Sequence, residues 1–307
     1  MAIDTQQLRE LYPFEGRYLD LGGCRMHFLD EGPRDGLPVV MVHGNPSWSF
    51  LFRDLVKAWR PHGRAIVPDH VGMGLSDKPD DGRYPYTLRR RVDDLEALLD
   101  HLGMTGPVCL VLHDWGGMIG MAWAARHPER VARIVALNTA AFRLPASKAF
   151  PWPLRLVRDT PLGAGLVRGL NAFAEVASRV CVVRPLAPEV RAAFVAPYDT
   201  WAHRVATLRF VEDIPLGPDD PAWSTVVEVE QALPGLAHVP VLLGWGARDF
   251  VFDDHFLAAW QARFPEAVTF RHADAGHYVL EDAGETLIPE IVRFLAAAEV
   301  SQAGLPS

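Results

Sequence analysis

Three side chains carry the chemistry this sequence can do: Asp114, Asp249 and His277. Asp114 ends the uncharged apolar run Val108-Cys109-Leu110-Val111-Leu112-His113, and Trp115-Gly116-Gly117 follows it. The run reads as a buried strand, and the glycines open a helix-like segment. A carboxylate on such a sharp turn meets unsatisfied backbone N–H groups and the positive end of a helix dipole, which favour an anion. Alone, Asp114 reads first as a helix N-cap. Its partners reverse that reading. Asp249 follows the strand-like run 241–246, and His277 lies in the loop after the strand-like run 267–271. All three fall at carboxyl ends of strands, in the order nucleophile, acid, histidine. That order lets Asp249 orient and stabilise the His277 imidazole as the third member of a triad does.

An aspartate in this position selects its substrates. With a reference pKa of ~3.9 the carboxylate is ionised at neutral pH and attacks without a base. Attack on an acyl ester would give an anhydride, whereas attack on an sp³ carbon bearing a leaving group gives a stable alkyl ester. Carbon–halogen bonds, epoxides and strained lactones are therefore favoured over lipids and peptides. His277 serves as base for a water that cleaves the ester, where the product requires hydrolysis. Two donors suit the departing negative charge. Trp115 brings an indole N–H and a backbone N–H, and Asn45, in His43-Gly44-Asn45-Pro46, brings a backbone N–H and an amide. Arg248, beside the acid, is either a carboxylate partner or a surface arginine. The end of the strand 131–137 is the other place for a triad acid, but it holds Asn138, which cannot ionise.

The surrounding pattern supplies elements to hold these residues. Runs at 18–22 and 25–31 read as a hairpin joined by Gly22-Gly23, and 38–42 and 64–68 read as further strands. Ser47 is placed to cap a helix through 59. Residues 87–102 form an amphipathic helix with Leu88, Val92, Leu95, Leu98 and Leu99 on one face. Strands alternating with helices predict an α/β fold, a mostly parallel eight-stranded sheet with helices on both faces. From 139 to 236 no buried strand is legible, and helical pieces at 164–177 and 188–208 predict an inserted cap. The domains expected are thus a core of 1–138 and 237–307 and a helical cap of 139–236. A helix at 253–264 and a last one to about 298 complete the core, and the tail from Ser301 reads as frayed.

Composition excludes other classes. The 307 residues, 49% hydrophobic, can bury a large core, and a net charge of −8 argues against a nucleic-acid partner. Arg89-Arg90-Arg91 is followed at once by Asp93, Asp94 and Glu96, which reads as a solvated helix face. Three cysteines (Cys24, Cys109, Cys181) without CxxC spacing suggest a reducing compartment and no structural zinc. Neither a signal peptide nor a membrane-spanning run is evident, so a cytoplasmic protein without metal or cofactor is expected.

The strand–turn–helix at Asp114 resembles the nucleophile elbow of α/β-hydrolases. Together with His43-Gly44-Asn45-Pro46, Pro68-Asp69-His70, Gly74-Leu75-Ser76-Asp77 and Gly276-His277, it resembles the haloalkane dehalogenases. That resemblance implies that Asn45 and Trp115 bind halide. Four further stretches are Leu137-Asn138-Thr139-Ala140-Ala141-Phe142, Phe210-Val211-Glu212-Asp213-Ile214-Pro215-Leu216, Asp249-Phe250-Val251-Phe252 and Gly276-His277-Tyr278-Val279. They are similar to a dehalogenase-like family, the β-lactone decarboxylases of bacterial long-chain olefin biosynthesis. This implies a hydrophobic cis-3,4-dialkyl-oxetan-2-one substrate, a cis-alkene and CO₂ as products, and association with other enzymes of olefin biosynthesis. Haloalkane dehalogenation is the alternative. Epoxide hydrolysis usually needs two cap tyrosines, and 139–236 offers only Tyr198. A catalytically silent scaffold, binding partners through Phe142, Phe150, Trp152, Leu154 and Phe173, is the remaining reading. Phe173, Val180, Val182, Val183 and Phe194 suit either an acyl-chain tunnel or ordinary packing.

Overall fold

The computed structural model describes residues 5–297, so the tail from Ser301 lies outside the described residues. The short apolar runs become eight strands: β1 (Arg17–Asp20), β2 (Arg25–Glu31), β3 (Val39–Val42), β4 (Ala65–Pro68), β5 (Val108–Asp114), β6 (Val131–Thr139), β7 (Val241–Gly246) and β8 (Val268–His272). They form one sheet in the order β1-β2-β4-β3-β5-β6-β7-β8. β2 pairs antiparallel with β1 and β4, and every pair from β4 to β8 is parallel. The expected α/β-hydrolase architecture is present.

Helices cover both faces. They are α1 (Thr5–Leu11), α2 (Arg53–Trp59), α3 (Leu88–His101), α4 (Trp115–Arg126), α5 (Trp152–Asp159), α6 (Pro161–Leu170), α7 (Ala172–Val180), α8 (Pro188–Val195), α9 (Val205–Glu212), α10 (Trp223–Ala232), α11 (Asp254–Arg263) and α12 (Val279–Ala296). Alternating strand residues enter opposite layers. Val40, Val42, Leu110 and Leu112 pack with α3 and α4, while Val39, Met41 and Val111 pack with α2 and α12. Burial on both sides explains why β3, β5 and β7 are apolar without alternation. Between β6 and β7 the described chain is helical, from α5 to α10.

Four local expectations are corrected. The helix at 164–177 is two, α6 and α7, because Asn171 takes φ 53° and ends the first. The segment 188–208 likewise breaks after α8 into short 3₁₀ turns before α9 begins. Ser47 caps no helix; a 3₁₀ turn, Ser49–Phe52, precedes α2, and the Ser47 hydroxyl donates to the Gly44 carbonyl at 3.4 Å. The charged face of α3 is only partly solvated. Thr87 caps its first turn through the Arg90 N–H at 3.3 Å, but Arg91 and Asp94 are buried.

Candidate active site

Asp114 closes β5, and its φ of 53° and ψ of −124° turn the chain into α4. A residue with a Cβ holds such a conformation only where its surroundings impose it. Here they do. A Cβ at Gly44 would collide with the Asp114 carboxyl group, and one at Gly116 with the Val42 carbonyl. The Asn45 backbone N–H donates to Asp114 Oδ1 at 2.6 Å, and the Trp115 backbone N–H also favours the charged form. Burial pushes the Asp114 pKa up, and His277 with these two donors offsets it only in part. The group is therefore less acidic than the ordinary carboxylate assumed from sequence.

His277 reaches both acids. Its Nδ1 lies 2.7 Å from Asp249 Oδ2, the distance of a hydrogen bond in which the ring N–H donates. Nε2 stands 3.6 Å from Asp114 Oδ2, beyond hydrogen-bond length. Burial alone would lower the imidazole pKa; the charges of Asp249 and Asp114 and the hydrogen bond to Asp249 raise it, and the net direction is up. Asp249 has its other oxygen filled by the Val251 N–H at 2.7 Å.

Two neighbours that the sequence reading did not credit hold this set. Asn138, with φ 36°, accepts the Gly246 N–H at 2.7 Å and donates to Asp249 Oδ2 at 3.0 Å. The second place for an acid thus holds a clamp for the acid that is present. His113 Nε2 donates to the His277 carbonyl at 2.9 Å, fixing that loop from the residue next to Asp114. The alternation of strand side chains gives a signal for His113, which must point away from Asp114; nothing in the sequence signals Asn138 as a donor.

Asp114 and His277 face a cavity of about 280 Å³ bounded by α4, α5, α6, α7 and the loop after β7. Its lining is otherwise almost entirely apolar, the remaining polar groups being Asn45, Cys181 and the indole N–H groups of Trp115 and Trp152. Phe142, Phe150, Trp152, Leu154 and Phe173 all line it, as does Val180; Phe194 instead stacks on Tyr278, ring centres 4.9 Å apart. Asn45 differs in part from expectation. Its backbone N–H is engaged by Asp114, and one amide N–H donates to the Thr207 carbonyl at 3.0 Å. Arg248 does not reach the cavity. It pairs with Asp274 at 3.0 Å on the surface, with its side chain 59% exposed, so the reading of it as a carboxylate partner is corrected. Tyr198 is buried away from the cavity, its hydroxyl 3.5 Å from the Ser47 carbonyl. Among the described residues no group of three or more His, Cys, Asp and Glu side chains could hold a metal ion.

Residues 38–284 match the α/β hydrolase fold family. The chain belongs to the α/β-hydrolase family. Within it, two curated relatives named cis-3-alkyl-4-alkyloxetan-2-one decarboxylase are each 52% identical. The one from Shewanella oneidensis aligns over 293 residues, 95% of this chain and 92% of its own. The one from Xanthomonas campestris aligns over 290 residues, 92% of this chain and 97% of its own. A haloalkane dehalogenase of Mycolicibacterium paratuberculosis is 33% identical over 300 residues, 94% of this chain and 95% of its own. Among solved structures, a haloalkane dehalogenase from Agrobacterium tumefaciens superposes with a TM-score of 0.81 at 28% identity, covering 92% of this α/β hydrolase and 97% of itself.

Proposed function

We propose that this α/β hydrolase decarboxylates cis-3,4-dialkyl β-lactones to cis-alkenes and CO₂, with Asp114 as nucleophile. The observation that carries the reading is the cavity: a carboxylate and an imidazole facing an otherwise apolar chamber, in a chain 52% identical to relatives named for that reaction. Such a chamber suits a substrate with two hydrocarbon arms. Asp114 attacks C4 from the side opposite the ring oxygen. The C4–O bond breaks, and its electron pair leaves on the new carboxylate, towards Trp115 and the Asn45 amide. The C3–carboxylate bond then breaks; its electrons form the alkene while the C4–Asp114 bond opens and returns the carboxylate. One inversion followed by anti loss keeps the two alkyl groups cis. No water or proton is consumed. Asp249 holds His277 in orientation, and the imidazolium faces the charge that moves between Asp114 and the leaving carboxylate.

A second reading is favoured by one observation. A paired His277–Asp249 is what hydrolysis of an alkyl-ester intermediate requires, and the lactone route needs no base. Haloalkane dehalogenation would use it. Purified protein assayed in parallel for alkene and CO₂ from a cis-β-lactone and for halide from a 1-haloalkane separates the two. Alkene with negligible halide is expected, and halide alone would overturn the proposal.

We further assign residues 139–236 the part of a cap that closes the chamber over the core of 1–138 and 237–307. No helix among the described residues is long and apolar enough to cross a membrane. Three cysteines held as thiols support a cytoplasmic setting, and the resemblance supports association with other enzymes of olefin biosynthesis; cell fractionation and co-purification test the two.

A further inference from the structure

Arg91 is the one member of Arg89-Arg90-Arg91 that turns fully inward, 1% exposed on α3. Its Nη1 donates to Asp213 Oδ2 at 2.9 Å, an oxygen that also accepts the Leu88 N–H at 2.6 Å. Nε and Nη2 have no hydrogen-bond partner. Instead the guanidinium carbon lies 3.6 Å from the centre of the Phe210 ring and 5.6 Å from that of Trp115. Phe210 meets Trp115 edge-on at 5.3 Å. A buried ion pair with two donor nitrogens unmet is a poor source of stability, because the desolvation cost outweighs so incomplete a set of contacts. Its position suggests another use. Trp115 lines the cavity, while Phe210 and Arg91 do not, and no arginine or lysine lines it at all among the described residues. Ring opening would place a full negative charge in that chamber, with His277 as the one cation facing it. A cation within about 6 Å of an indole face draws on its π electrons and leaves the N–H more positive.

We propose that Arg91 is a positioning residue for the leaving anion. Its buried charge, acting through the Trp115 indole, strengthens the donor that receives the carboxylate released from the lactone. The proposal rests on reading Trp115 as that donor, and it deepens that reading by naming the charge behind it.

Bromide titrated calorimetrically into the full-length chain, at fixed pH and ionic strength, is the probe. Arg91→Met combined with Asp213→Asn removes both charges without leaving either alone, and is expected to weaken bromide about tenfold. Arg91→Lys should stay within about threefold of wild type, and Asp213→Asn alone, which leaves the cation uncompensated, should tighten binding about threefold. A double variant that folds and binds bromide as wild type does overturns the proposal. Should the double variant not fold, Asp213→Asn decides, and unchanged or weaker binding there overturns it. Trp115→Phe separates the two levels. If it leaves wild-type affinity untouched, the donor role of Trp115 falls and the proposal with it; if it abolishes binding that the charge changes leave alone, only the role of Arg91 falls.

Discussion

The molecule buries two sets of aspartate and histidine at the carboxyl ends of its parallel strands, and they behave in opposite ways. Behind β4, Asp69 accepts from His27 Nδ1 at 2.8 Å, from the Ser49 N–H at 2.7 Å and from the Leu75 N–H at 2.8 Å. His43 and His70 close the set, with the His70 N–H donating to His43 Nε2 at 3.1 Å and His70 Nε2 to the His43 carbonyl at 2.9 Å. Burial alone would raise the Asp69 pKa, but His27, His43 and the Leu75 N–H outweigh it and hold the carboxyl far below the usual range. Asp114 is also buried, yet it borders the chamber with His277 Nε2 3.6 Å from its Oδ2, and burial leaves its pKa raised despite the Asn45 and Trp115 N–H groups. A buried carboxylate held by donors on both oxygens, away from any chamber, is a fastening. One that borders an apolar chamber beside an imidazole is a reagent.

Exchanging each aspartate for asparagine tests that contrast most strongly. Asp114→Asn is expected to lower turnover of a cis-β-lactone by roughly 10⁴-fold or more, as removal of a nucleophile does. Its thermal midpoint should hold or rise: a folded pKa above the unfolded one means the fold prefers the protonated group, a preference lost as pH rises through the folded value. Asp69→Asn should do the reverse, destabilising the fold by about 3 kcal/mol in urea because buried donors lose their acceptor. The stability Asp69 supplies is present above the ordinary carboxylate range and lost as pH falls through its depressed pKa, so Asp69→Asn should flatten acid unfolding. Equal stability losses in the two variants would erase the distinction.

Trp115→Phe removes an anion donor and should cost about 10²-fold in kcat with the fold intact. A smaller change in kcat than in KM would reduce Trp115 to a wall of the chamber. The pH profile sharpens the comparison further. Against the effect of burial, the charges of Asp249 and Asp114 and the hydrogen bond to Asp249 raise the His277 pKa, which favours the imidazolium. If it faces the leaving carboxylate, lactone turnover falls as pH climbs through that raised value. A rate that instead increases with pH over the same interval would mark His277 as a base for water and favour the dehalogenase reading. The smallest effect belongs to Arg248→Ala, which should leave turnover within about twofold and stability within about 0.5 kcal/mol, as exposed positions do.

How much of this was readable in the sequence follows the range of the interactions. Val108–Asp114 announced a buried strand, and Asp114, Asp249 and His277 stood in triad order, so the structure brings together residues that local patterns had already singled out. Arg91 was misread as solvated because its partner, Asp213, lies 122 residues away and no local pattern marks an inward arginine. Asn138 was excluded as an acid, correctly, but its role as a clamp depends on a left-handed φ and on contacts across β7. Arg248 erred the other way. Sequence adjacency to Asp249 suggested the site, whereas the turn after β7 points the guanidinium outward to Asp274. The raised pKa of Asp114 was also out of reach, since it arises from enclosure by segments far apart in the chain.

The most direct test is a rapid acid quench of wild-type protein during turnover of a cis-β-lactone, followed by peptide mass measurement. The account predicts that the peptide carrying Asp114 gains the mass of one intact lactone, with the added group on that side chain. Turnover to alkene with no adduct at position 114, or with an adduct on a different residue, would contradict it.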